Sequence, residues 1–112
     1  MKMSRLSRNK RLIHSLTLLP KRQRNKLLRK VDKSCIDSLR DCCGYILQGH
    51  VPLNLTNKRK LKPYKSKLRA AANPKIGSTK ARKHFQFGGF FQALIPVLAS
   101  ILGPIISTLA RE

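Results

Sequence analysis

The residues best able to do chemistry are few. Cys35, Cys42 and Cys43 stand near His50, and Asp32, Asp37 and Asp41 share the same stretch. Three thiolates and an imidazole would suffice for a structural zinc site. The spacing opposes it, because Cys42 and Cys43 are adjacent rather than two apart and no second pair follows. A helical register through the segment puts all three thiols on its apolar side, where cysteine packs as a small hydrophobe. Nucleophilic catalysis would need a base beside a cysteine, and neither His14 nor His50 has a motif around it. The aspartates read as helix caps and charge partners rather than an acid/base pair. Gly88-Gly89 has no lysine-bearing strand–loop–helix context and so makes no phosphate loop. No enzyme and no cofactor are expected.

Charge is the stronger signal. The chain of 112 residues carries 25 Lys and Arg against 4 Asp and Glu, a formal net charge of +21. Self-repulsion of that size is relieved by a polyanion. Nucleic acid is the first choice, with double-stranded DNA gripped non-specifically through its backbone, and an anionic membrane is the second. The bases most suited to phosphate contact are Lys10, Arg11, Lys21, Arg22, Arg24, Lys58, Arg59, Lys60, Lys65, Lys67, Arg69, Lys80, Arg82 and Lys83. Lys80 to Lys83 also fits a nuclear-localisation patch. No recognition-helix signature, zinc finger or aromatic stacking platform accompanies them, so affinity should come from released counterions and not from base reading. Composition leaves DNA and RNA open, and no small-molecule substrate is implied.

The elements that position these groups are helical. Met1 to Arg11 reads as a basic arm, after which Leu12, Ile13, Leu16 and Leu19 share one helical face. Pro20 ends that helix or opens the next, over Lys21 to Val31. Ser34 to Gln48 is the clearest amphipathic segment: Cys35, Ile36, Leu39, Cys42, Cys43, Ile46 and Leu47 form its apolar face. Ser34 or Asp32 would cap it, Gly49 would close it, and Pro52 would stop it. Gly44 suggests a close helix approach. A further helix starts at Thr56 or Asn57 and runs through Leu61, Tyr64 and Leu68 to Ala72, split near Lys62 by Pro63. Residues 74–79 form a linker, with Ser78 capping a short basic turn to His84. The cysteines, few and clustered, suggest a reducing intracellular setting, and the basic N-terminus lacks a signal peptide's apolar run. No long repeat is visible.

After His84 the only charges are Arg111 and Glu112. Phe90 to Ala110 is long enough and apolar enough to span a membrane. Pro96, Gly103 and Pro104 predict breaks in it, and the alternatives are a plug folded onto the basic half or an oligomerising segment. The expected architecture is therefore mostly α: a small basic helical cluster over 1–73 with partly disordered arms, a basic linker over 74–89, and a broken apolar helical tail over 90–112.

The junction carries a resemblance. The basic run Lys80–Lys83, then Gly88-Gly89, then Phe90-Phe91-Gln92-Ala93-Leu94-Ile95-Pro96 and a small-residue break at Gly103, resembles the end of the adenovirus late core-protein precursor family (pre-mu, or pX). Similar tails occur in its relatives in adenovirus-like elements of the Polinton/Maverick and adintovirus types. The resemblance implies a virion core protein that condenses double-stranded DNA, located in the virion core and host nucleus. It also implies an adenovirus-type cysteine protease and capsid proteins as partners. Gln86, Phe87, Gly88, Gly89 and Phe90 look like that protease's cleavage sequence, with Gly89–Phe90 the scissile bond. Gln86 departs from the Met, Leu or Ile more usual there. The basic half also departs, being longer, Lys-rich and amphipathic. The competing expectation is a membrane-active or tail-anchored protein on an intracellular membrane, and a ribosomal-type RNA binder fits the charge but not the tail.

Overall fold

The third helix organises the others, and its sequence explains why. In the computed structural model, α3 spans Lys33–Leu47 and buries Cys35, Ile36, Leu39, Cys42, Cys43 and Ile46. Its cap is Asp32, whose carboxylate accepts from Cys35 N–H at 3.0 Å; Ser34 instead faces α1. Its end is a Schellman closure: Gly49 adopts φ +76°, Gly49 N–H reaches Ile46 C=O at 3.2 Å and His50 N–H reaches Tyr45 C=O at 2.9 Å. Leu47, expected on the apolar face, is 39% exposed. Gly44 has no atom near where its Cβ would stand, so it serves no close helix contact.

The structure describes residues 4–51, 53–86 and 89–111, Ser4 and the last nine of these by backbone alone. Around α3 stand α1 (Ser4–Leu18), α2 (Lys21–Lys30), α4 (Leu55–Leu61), α5 (Lys65–Ala72), α6 (Ser78–Gln86) and α7 (Phe90–Arg111), with a short 3-10 turn at Lys62–Tyr64. No strand occurs among the described residues. The fold class is thus mostly α, as the periodicity predicts. Pro63 converts one long helix into α4, a 3-10 turn and α5, also as predicted. The α4 cap is Asn54, whose side chain accepts from Asn57 N–H at 2.8 Å, and neither Thr56 nor Asn57 takes that role. Pro52 lies outside the described residues.

Two expectations are corrected. The basic arm is helical from Ser4, because Leu6 joins Ile13 and Leu16 in the core and Arg5 is held by α3. The apolar tail shows no break at Pro96 or at Gly103-Pro104; α7 runs continuously from Phe90 to Arg111. An interior proline costs about 3 kcal/mol. Burial of Phe90, Phe91, Leu94, Val97, Leu98, Ile101 and Leu102 along the helix offsets that cost. Those residues share one core cluster with Leu6, Ile13, Leu16, Leu28, Ile36 and Leu39 of the basic half. Helix α7 packs on α1, α4 and α6. The radius of gyration, 13.0 Å, is what a compact domain of roughly this length has, about 13 Å for 100 residues.

Candidate nucleic-acid interface

The three described acids are all consumed internally. Asp32 caps α3. Asp41 accepts a two-pronged pair from Arg5, Nε at 2.9 Å and Nη2 at 3.0 Å. Asp37, with its side chain 8% exposed, meets Lys33 at 2.8 Å, Arg40 at 3.4 Å and Arg5 at 3.6 Å, and accepts from Ser78 Oγ at 3.0 Å. Burial pushes the Asp37 carboxyl up, but the Lys33 and Ser78 hydrogen bonds and the Lys33 and Arg5 charges outweigh it and hold the pKa below the ordinary value. Beside this cluster Asn9 bridges α1 to α3, donating to Arg5 C=O and to the hydroxyls of Ser34 and Ser38 at 2.9–3.0 Å.

Arg40 and Arg82 are structural cations. Arg40 donates to three carbonyls at the end of α5 and just beyond: Ala71 at 3.1 Å, Asn73 at 2.8 Å and Ile76 at 2.9 Å. Arg82 Nη1 donates to the α2 terminal carbonyls of Leu28 and Val31, at 2.5 and 2.7 Å, where a cation also suits the helix dipole. Arg82, expected to contact phosphate, is therefore committed to holding α6 against α2.

Arg24 is a clearer correction. Its residue is 3% exposed, its guanidinium lies 5.0 Å from the Phe91 ring centroid, and Nη1 reaches Gln92 Oε1 at 3.4 Å. Nε has no hydrogen-bond partner, and desolvation lowers the pKa. A side chain so enclosed cannot reach a phosphate. The Lys-Arg-Gln-Arg run read as uniformly outward because it is charged; the helical turn carries its fourth member inward.

The other expected bases face outward. Arg11, Lys21, Arg22, Lys58, Arg59, Lys60, Lys65, Arg69, Lys80 and Lys83 are exposed, while Lys10 and Lys67 are half-buried. Arg8, Lys26, Arg29, Lys30, Lys62 and Lys75, outside the set singled out from the sequence, are exposed too. The α2 members could have been found by register, since Arg22, Lys26, Arg29 and Lys30 lie at i, i+4, i+7 and i+8, on the side away from Leu28. Helices α2, α6 and α5 pack in that order, so their cations fall on neighbouring surfaces. Asp37 is buried and Asp41 is paired with Arg5, so Asp32 is the one exposed acid among the described residues and the outer surface is predominantly cationic.

Gly89 sits in a packed turn. Gly89 has φ +84° and its C=O accepts from Ala93 N–H at 3.0 Å, opening α7. Phe90 is fully buried, stacked on Phe85 with centroids 5.9 Å apart and tilted against Tyr64 at 6.1 Å. Gln86 ends α6 and donates to Asn25 C=O at 3.5 Å. Phe87 and Gly88 of the expected cleavage sequence lie outside the described residues. Counting α7 only through Leu102, no single helix among the described residues is long and apolar enough to cross a membrane; α6 and residues 90–102 pass that test only together, across a 99° bend.

The cysteines sit where the register put them. All three are buried and free, whereas His50 is exposed beyond Gly49. Burial pushes the Cys35 thiol up to about 11 and that of Cys42 to about 12, and raises that of Cys43 well above its ordinary value.

Fold and surface together define a compact, all-helical, strongly basic protein. No family model, no curated protein and no solved structure matches the chain.

Proposed function

We propose that the protein binds double-stranded DNA non-specifically and compacts it, as a core protein inside a virion does. One observation carries this reading: each described acid is engaged in a cap or an ion pair and only Asp32 among them is exposed, so the exposed lysines and arginines of α1, α2, α4, α5 and α6 far outnumber the carboxylates beside them. A soluble surface ordinarily mixes both signs. A surface of one sign repels itself and is stabilised by a polyanion. The helical core gives those cations a fixed display, and the binding term is release of counterions from the phosphate backbone.

In this reading the apolar tail is first a structural element, since its first half completes the core. Proteolytic release after Gly89 would then accompany opening of the fold and not precede it. The test is fluorescence anisotropy with duplexes of unrelated sequence, together with light scattering for compaction. Between 50 and 200 mM salt the affinity should fall about 10³-fold or more if about six or more phosphates are neutralised. Sequence should matter little. Binding that ignores salt, or no binding, overturns the proposal.

A further inference from the structure

A groove of about 580 Å³ runs along α4 and α5, with an apolar floor from Ile46, Leu53, Leu61 and Leu68. Two of the three exposed large hydrophobics in the described structure line it: Leu55, 63% exposed, and Leu47, 39% exposed. Clustered exposed leucines mark an interaction surface more often than chance scatter. The rim is entirely cationic, made of Lys58, Arg59, Lys62 and Lys65.

The arrangement of the rim selects the occupant. These cations are spread over three successive elements, Lys58 and Arg59 on α4, Lys62 in the 3-10 turn and Lys65 at the start of α5. A single anionic headgroup would be met by cations converging on one point. Cations spread beside a trough instead match a row of carboxylates beside an apolar stripe. Duplex DNA supplies anions but no apolar side chains for the floor. We propose that this groove docks an acidic amphipathic helix of a partner protein, with its leucine-type anchors on the floor and its carboxylates along the rim. The site is separate in principle from phosphate binding, although Lys58, Arg59 and Lys65 serve both, so duplex DNA and the helix compete.

The test uses the full chain and a labelled synthetic peptide of about 18 residues, ~27 Å as a helix, with leucines at i, i+3, i+4, i+7 spacing flanked by glutamates. Polyglutamate, duplex DNA and phosphatidylserine vesicles are the comparison ligands. The double substitution L47Q/L55Q should weaken peptide binding about tenfold or more and leave duplex affinity within about twofold. Polyglutamate should bind weakly and equally to both proteins. Because both leucines are exposed, the denaturation midpoint should hold, which separates a lost site from a lost fold. Peptide affinity unchanged by L47Q/L55Q, or matched by polyglutamate, overturns the proposal. Vesicle binding that depends on the leucines while peptide binding does not would give the groove to lipid and overturn it equally. A failure of DNA binding would leave the peptide result standing, so the two proposals fail separately.

Discussion

Tyr64 lies across Gly89 so closely that a Cβ on that glycine would stand 3.2 Å from the Tyr64 Cζ and collide with its hydroxyl. The φ of +84° at Gly89 independently favours glycine. Gly89→Ala should therefore cost about 1–3 kcal/mol, from clash and left-handed backbone together. Adding Tyr64→Phe should restore part of the loss by removing the hydroxyl. Urea denaturation of the two variants measures both effects; an unchanged midpoint for Gly89→Ala would contradict the packed turn.

Truncation after Gly89 should abolish cooperative unfolding. Fully burying a Leu, Val, Ile or Phe contributes about 1.5–3 kcal/mol each. Phe90, Phe91, Leu94, Val97, Leu98, Ile101 and Leu102 are all at 8% exposure or less, so their summed loss, about 10–20 kcal/mol, is as large as the ~5–15 kcal/mol by which domains are stable. In the whole chain, cleavage at Gly89–Phe90 by a glycine-directed protease should be slow and should accelerate with denaturant. Calorimetry and timed gels read the two outcomes. Rapid cutting of the native protein would show that the junction opens locally.

Arg24 and Arg22 should behave oppositely despite being two residues apart. Arg22→Gln should weaken duplex binding and reduce its salt slope by about one. Arg24→Met should leave binding within about twofold and be neutral or stabilising by roughly 1 kcal/mol, because an apolar group replaces a buried charge with no acidic partner. The cation–π contact with Phe91, worth about 0.5–2 kcal/mol, limits the gain.

Native thiols should resist alkylation at neutral pH. Thiolate is the reactive form, and burial has raised all three cysteines. Iodoacetamide labelling followed by mass measurement should give modification only as the chain unfolds, with Cys43 no faster than the others.

Stability should fall in acid through Asp37. Its folded pKa is depressed below the unfolded value of 3.8. Its contribution is therefore fully present above that value and is lost as pH falls through the folded pKa. Asp37→Asn should remove this dependence and cost about 3 kcal/mol at neutral pH, by leaving Arg40 and its neighbours without their carboxylate. Urea midpoints from pH 7 to pH 2 for both proteins check it.

Patterning along the chain was enough for α2 to α5, because local backbone geometry repeats every 3.6 residues and α3, its glycine stop and the Pro63 split are written at that period. It was also enough for the charge excess, a property of composition. Three things were decided only by packing. Arg24 turned inward, Leu47 outward and the first residues became helix, since each depends on which neighbour arrives at that face. The ion cluster joins Arg5, Asp37, Asp41 and Ser78, with directly bonded partners as far as 41 positions apart, and no local pattern encodes such a meeting. The glycine pair looks in sequence like an extended site between a polycation and a detachable tail. In three dimensions Gly89 is the hinge pin of a helix that closes the core, because Tyr64, 25 positions upstream, occupies the space a side chain would need.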